Sequence, residues 1–252
     1  YDIIDLWPES MPIDRYKGLL PFKIWKDNRD KYLSSGDVVF CECELFKKYV
    51  HCGNVLYWAI DRECLPMNPY LSENELQFCY LGSINNIIDI PRITAFLREC
   101  SAHKKCTLHI IGDGENKEYF IQEVLCVGVN VVDHKEVYDF QRKQEVFDQC
   151  NYGFNVMKPS VVVGLTMKSL DYMCAGLPII NTIKGDTKDF CEEWDIGFNL
   201  KKSNIKEVAE RVCSESMEVQ LQRRKNIQNL YNTYFTTKKF NATLDEALNR
   251  IF

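Results

Sequence analysis

From about residue 75 onward, apolar runs alternate with helical periodicities. Runs at 76–81, 106–111, 129–132 and 152–156 read as strands. Between them, apolar residues recur at three- and four-residue spacing over 90–99, 117–126 and 140–148, which predicts helices. Such βαβα alternation implies a parallel sheet covered on both faces. The rhythm is most compact over 163–182, VGLTMKSLDYMCAGLPIINT. There Met167, Leu170 and Cys174 share a helix face, Gly176 suits a left-handed cap, and Pro178 cannot continue the helix. The chain then passes into a buried strand beginning at Ile179. A strand over 196–199 and helices near 205–213, 219–231 and 240–251 complete this part.

The first 70 residues are less regular. Ile3 and Ile4 form an extended apolar piece that runs into Asp5, Leu6, Trp7, Pro8 and Glu9. A helix is expected over 19–33, stopped by Ser34, Ser35 and Gly36; a short buried strand follows at Val38, Val39 and Phe40. A helix over 44–49 and a strand over 54–60 come next, and 61–74, rich in Pro, Asn and Ser, reads as a linker. Cys41, Cys43, His51 and Cys52 lie near one another, but without a CxxC pair or zinc spacing no metal is expected.

Composition narrows the class. At 252 residues, 46% hydrophobic and 27% charged, the chain can hold one large or two modest globular domains. A net charge of -5 argues against nucleic acid as partner, while leaving room for a small anion at a helix end. No apolar run is long enough to span a bilayer, no signal peptide is evident, and the twelve cysteines are scattered rather than framed, so a cytoplasmic setting is expected. The chain opens at Tyr1 without methionine, and the expectation is a fragment.

In parallel doubly wound sheets, ligands bind beyond the carboxyl ends of the strands. Three strand-end loops offer suitable chemistry. Gly82, Ser83 and Asn85 can bring main-chain N–H groups close to a phosphate, although a lone glycine turn is a weak signal. The segment 134–137, ending at Val137, could hold a planar base or be an ordinary polar loop. The third is Gly164, Thr166, Met167 and Lys168 with Asp171. This helix start has no carboxylate in its first turn and reads as uncapped and basic, which favours a docked anion. Lys168 and Asp171, three apart, could meet a phosphate and a ribose hydroxyl, or simply pair with each other on a solvated face.

The run Pro159-Ser160, two residues, Val163-Gly164-Leu165-Thr166, then Leu170-Asp171-Tyr172-Met173-Cys174-Ala175-Gly176-Leu177-Pro178 resembles the donor-site signature of retaining GT-B glycosyltransferases, PS, two residues, EGFG, then LEAMAAG and P. With the GSINN loop at 82–86 and Ile110-Ile111-Gly112-Asp113-Gly114, the resemblance covers about 76–200. Residues 2–10, DIIDLWPES, are similar to a strand and loop in the acceptor domain of bacterial members that build surface polysaccharides. The resemblance implies an α/β GT-B fold: a doubly wound, parallel, Rossmann-like donor domain and the back part of a second Rossmann-like acceptor domain. The expected division is 1–70 for the acceptor part, 71–235 for the donor domain, and 236–252 for a helix crossing back.

The implied reaction moves a sugar, with retention, from a nucleotide sugar to a saccharide or lipid-linked saccharide. It needs no cofactor or metal beyond that donor substrate, and peripheral association with the inner membrane face is implied. Asp5 and Glu9 become the catalytic candidates; Gly82, Ser83, Asn85, Val137, Gly164, Thr166, Met167, Lys168 and Asp171 become the donor-binding ones. Two departures stand out. Val163 and Asp171 occupy the places of the family's paired glutamates, and the Arg/Lys pair that usually follows the first donor-domain loop is absent. A degenerate, non-catalytic binding or scaffolding subunit therefore remains an alternative. A metal-dependent GT-A enzyme would want a DxD motif, whereas Asp61-Arg62-Glu63 and Asp113-Gly114-Glu115 read as linker and turn. A nucleotide-sugar epimerase is less favoured, since the strand ends carry no acid cluster.

Overall fold

The computed structural model describes residues 1–11, 16–51 and 53–250. Its first three strands, β1 (Asp2–Ile3), β2 (Phe40–Cys41) and β3 (Asn54–Val55), form a small parallel sheet in that order. The intervening helices are α1 (Leu20–Leu33), with Pro21 in its first turn, and α2 (Glu44–Val50), closed by His51 in the left-handed region. Cys52, one of the cysteines weighed for a metal, lies outside the described residues. Among those described, no three His, Cys, Asp or Glu side chains gather as a metal set would.

The strand expected over 54–60 stops at Val55. Its continuation turns away from the ladder because Tyr57, Trp58 and Ile60 pack into the core of the following half. No helix or strand occurs between Val55 and Glu75.

The second sheet contains β4 (Glu75–Leu81), β5 (Lys105–Ile111), β6 (Asn130–Asp133), β7 (Tyr152–Asn155), β8 (Ile179–Asn181) and β9 (Gly197–Asn199). All pairings are parallel, in the order β6-β5-β4-β7-β8-β9. Helices α3 (Ile90–Ser101), α4 (Lys117–Cys126), α5 (Phe140–Gln149) and α6 (Met167–Ala175) fill the crossovers, as the apolar periodicity predicts. Gly176 takes φ +71 and closes α6, as its place before Leu177 and Pro178 requires. One helix is not legible in the pattern, α7 (Asp186–Glu193): among its apolar residues only Phe190 and Cys191 turn inward. Then come α8 (Ile205–Ser214), α9 (Met217–Tyr234) and α10 (Thr237–Leu248).

Each face of the larger sheet has its own core. Phe78, Phe96 and Phe154 interlock on one side, with rings 5.4 to 6.0 Å apart, while Phe147, Tyr172, Ile227 and Tyr231 fill the other. The last helix returns to the small sheet, where Ala247 is buried with Phe40 and Leu56. No described helix is long and apolar enough to cross a membrane.

Candidate functional site

The strand order reverses between β4 and β7, since the chain runs outward to β6 on one side and to β9 on the other. Loops leaving these two strands diverge and open a crevice, the place where doubly wound sheets hold ligands. Here the crevice is a cleft of about 440 Å³. Gly82 and Ser83 line it from the end of β4, Val137 from beyond β6, and Thr166, Met167, Lys168 and Asp171 from the start of α6. Gly82 adopts φ +105, and a Cβ on Gly112 would lie 2.2 Å from the Gly82 carbonyl oxygen, so the strand-end turns nest closely.

Lys168 reaches across the reversal. Its ammonium donates to the Tyr80 hydroxyl at 3.2 Å and lies 4.4 Å from that ring's centre, above the Gly82 turn. No carboxylate of the described residues pairs with it. Burial without a counter-charge pushes its pKa down to about 8. A docked anion would relieve this cost. The main-chain N–H groups of Met167 and Lys168 open α6 and join no hydrogen bond among the described residues, so they add positive potential at the same spot.

The helix start is not uncapped, contrary to the reading of its sequence. Thr166 and Ser169 form a reciprocal capping box: the Thr166 oxygen accepts from the Ser169 N–H at 3.2 Å, and the Ser169 hydroxyl accepts from the Thr166 N–H at 3.1 Å. Serine stands where the motif usually has Glu or Gln, which hides it. Thr166 also donates to Asn155 at 3.0 Å, tying the cap to the end of β7. Anion attraction at this end therefore rests on two N–H groups and Lys168.

Asp171 does not pair with Lys168. Its carboxylate lies between Arg62, with which it forms a close ion pair, and Lys143, whose ammonium donates at 3.0 Å. The Arg62 guanidinium also lies 3.5 Å from the centre of the Phe140 ring. These cations come from the segment joining the two sheets and from α5, too far away in sequence for local spacing to reveal.

The remaining candidates lie elsewhere. Asn85 is a turn residue whose side chain accepts from the Ile87 N–H at 3.1 Å, outside the cleft lining. Gly164 faces the small sheet: a Cβ there would meet Cys43 Sγ at 2.7 Å and Asp186 Oδ2 at 2.8 Å. Close packing between the halves is what demands glycine at this point. Glu9 is held by the Arg29 guanidinium of α1 at 2.6 and 3.0 Å. Asp5 lines a second cavity, about 290 Å³, between the two sheets; Thr166 and Met167 line it too and so connect it to the cleft. This cavity also holds Glu42, buried at the end of β2, which sequence reasoning passed over. Burial and the nearby Asp5, Asp186 and Asp2 charges push the Glu42 carboxyl up to about 8.

The reversed parallel sheet with its cleft at the reversal point, beside a second parallel sheet, defines an α/β protein of the GT-B type. Residues 76–214 match the family of glycosyl transferases group 1, and the chain belongs to that family. Among solved structures, its fold is similar to a mutant of S. aureus TarM in complex with Fondaparinux, alpha-GlcNAc-glycerol and UDP, with a TM-score of 0.66 and 13% identity, covering 91% of this chain and 47% of that one. It is also similar to Anabaena Alr3699/HepE in complex with UDP, TM-score 0.65 and 14% identity, covering 85% of this chain and 64% of that one. A third is the lipopolysaccharide outer core galactosyltransferase WaaB in its apo form, TM-score 0.66 and 15% identity, covering 87% and 63%. The chain thus spans between about half and two thirds of these structures' lengths. No curated protein sequence matches it.

Proposed function

We propose that this chain is the nucleotide-sugar-binding part of a retaining glycosyltransferase that transfers a sugar from a UDP-linked donor to a saccharide or lipid-linked saccharide in surface polysaccharide synthesis. The observation that carries this reading is Lys168, a desolvated cation without a carboxylate, beside two main-chain N–H groups at the sheet's reversal point. A diphosphate fits that potential. As the bond to the donor sugar breaks, charge grows on the departing diphosphate, and preorganised donors stabilise growing charge more than the ground state. Val137 and its neighbours would flank the base, and Asp171 would face the ribose. No metal has a role in this scheme. The relatives in complex with UDP support the choice of base.

A thermal-shift comparison of UDP, GDP and ADP tests the site, because a ligand that binds only the folded state raises its stability by mass action. UDP is expected to give the largest shift; no shift with any of the three overturns the assignment. A second reading, a binding subunit without catalysis, is favoured by one observation, Val163 at the place of the first motif glutamate. Hydrolysis or transfer of a UDP-sugar by the protein argues for the enzyme; binding without turnover argues for the subunit.

A further inference from the structure

We propose that Cys64 and Cys174 form a redox site, at which hydrogen peroxide, a small hydroperoxide, oxidises the two thiols to a disulfide that ties the segment joining the two sheets to α6. Neither thiol needs a nucleotide sugar for this, so the site is independent of the transferase reading.

Both cysteines are free thiols in this structure. They are 110 positions apart, yet their segments are held side by side. The Gln228 amide of α9 donates to the Leu65 carbonyl at 3.4 Å and to the Cys174 carbonyl at 3.3 Å. Nearby on the same helix, the Tyr231 hydroxyl donates to the Ile60 carbonyl at 3.3 Å. Met67 packs so closely on the end of α6 that a Cβ on Gly176 would meet its sulfur at 2.1 Å. In this setting the Cys64 thiol meets the Cys174 sulfur; the Asn232 amide oxygen, at 3.9 Å, is its other polar neighbour. Cys64 lines an open cavity of about 680 Å³ together with Arg62 and Tyr231, and Cys174 is buried beside it. A small oxidant can enter at Cys64 and reach Cys174 past it.

Thiolates, not thiols, react with peroxides. Hydrogen bonding from Cys64, with the Arg62 guanidinium and the Tyr231 hydroxyl, holds the Cys174 thiol down at about 7 against the burial that would raise it. Arg62 is shared with the nucleotide cleft: its guanidinium pairs with Asp171, while its Nε is buried without a hydrogen-bond partner, a vacancy that suits a thiolate. Cys174 also stands where the donor-site motif has alanine, so packing of α6 does not demand a thiol there. Two further thiol pairs, Cys79 with Cys150 and Cys100 with Cys213, consist wholly of buried side chains.

In the first step the Cys174 thiolate attacks one peroxide oxygen, the O–O bond breaks, and a sulfenic acid forms as hydroxide leaves and takes up the proton the thiol had released. The Cys64 thiol then attacks the sulfenic sulfur; an S–S bond forms, the S–O bond breaks, and the hydroxyl departs with the Cys64 proton as a second water. Two thiols are oxidised by two electrons in all, and one hydrogen peroxide is reduced to two waters.

The test treats the reduced full chain with hydrogen peroxide, alkylates the remaining thiols and maps non-reduced peptides by mass spectrometry. The bond between Cys64 and Cys174 is expected to be the first intramolecular disulfide formed and to be reversed by dithiothreitol. Its rate should level off above pH about 7, whereas an unperturbed thiol gains through about 8.5. Cys64→Ser should form no such bond and let Cys174 pass on to sulfinic acid, and Cys174→Ala should slow the oxidation of Cys64 about tenfold or more. A first disulfide between other cysteines, or Cys174 left unoxidised in the parent, overturns the proposal. So does a rate that keeps rising through about 8.5. Should Cys174→Ala not fold, Cys64→Ser, at a half-buried position, and the parent's pH profile decide the matter.

Discussion

The two sheets are built on different terms. In the larger one, β4 and β5 pair over seven residues each, and apolar clusters cover both faces. In the smaller one every strand is two residues long, and α1 buries only Leu33 while Leu20, Ile24 and Trp25 are exposed. Its own core is a small cluster that includes Ile3, Leu6, Val39 and Phe46, and its neighbour adds polar support. The Asp186 carboxylate, at the start of α7, accepts from the main-chain N–H of Glu44 at 2.8 Å, that of Leu45 at 3.0 Å and the Tyr57 hydroxyl at 2.7 Å. One half thus caps a helix of the other, and Gly164 lets the two backbones approach. The cleft at the start of α6 is lined by the large sheet's half alone, and the small sheet is set against that half by these polar contacts together with Tyr57, Trp58 and Ile60 packed into its core.

The hardest blow to this arrangement is Asp186→Ala. It removes three bonds to a charged acceptor, each worth roughly 1.5–3 kcal/mol, and leaves the Glu44 and Leu45 N–H groups without their partner. A loss of about 5 kcal/mol is expected, near the lower end of that sum, seen in calorimetry as an early transition of the small sheet, with UDP affinity retained. A single unshifted transition would show that other contacts hold the sheet.

Titration should separate the halves next. His109 of β5 is buried neutral between Gln77 and His134, at 2.7 and 2.9 Å, and burial pushes its pKa down to about 4. With the folded pKa below the unfolded one, its contribution is present above about 6.5 and lost as pH falls toward about 4. Glu42 is opposite in sign. Its folded pKa is raised, so the small sheet is favoured at low pH and loses that support as pH rises from about 4.5 through about 8. At about 1.4 kcal/mol per unit, the upper bound is on the order of 3 kcal/mol for His109 and on the order of 5 kcal/mol for Glu42. Amide exchange across pH should show acid loosening β5 and base loosening β2; parallel behaviour of the two would remove the contrast.

Lys168→Ala comes third. Loss of a charge-assisted bond of roughly 1.5–3 kcal/mol should weaken UDP about ten- to a hundredfold without disturbing the small sheet. In the parent, affinity should also decline as pH rises through about 8, where the free lysine loses its proton. Unchanged affinity in a calorimetric titration would remove Lys168 from the phosphate site.

The same contrast governs what the sequence discloses. Strands of the large sheet are long, buried on both faces and bounded by turns, so apolar runs mark them, and α6 with Gly176 and Pro178 carries its own stop signals. Two-residue strands leave no such run; the expected β3 is too long because Tyr57, Trp58 and Ile60 are apolar for the sake of the other half's core. Gly82 and Lys168 are 86 positions apart in numbering, and only the strand order brings them together. Glu42 gives a faint signal, a lone carboxylate between Cys41 and Cys43, which periodicity cannot distinguish from a solvated charge. Partners supplied from distant segments, Arg62 and Lys143 to Asp171 or Asp186 to α2, leave no local trace at all.

The smallest effect, and the sharpest test of the cleft's electrostatics, is Asp171→Asn. From sequence spacing alone, the change would cost only a ribose hydrogen bond. The ion pairs with Arg62 and Lys143 add a second consequence, because the neutral amide leaves two cations less compensated beside Lys168. A diphosphate gains from that added positive potential, while the amide oxygen can still accept from the ribose. The two changes oppose each other, each being on the order of 1 kcal/mol, so UDP affinity should stay within about threefold of the parent. Stability should fall by roughly 1 kcal/mol, because this partly buried pairing loses its charge. A loss of nucleotide affinity beyond about tenfold would mean that the carboxylate's charge itself holds the ribose. Asp171 would then act as a ligand-binding group rather than as the anchor that keeps Arg62 and Lys143 in place.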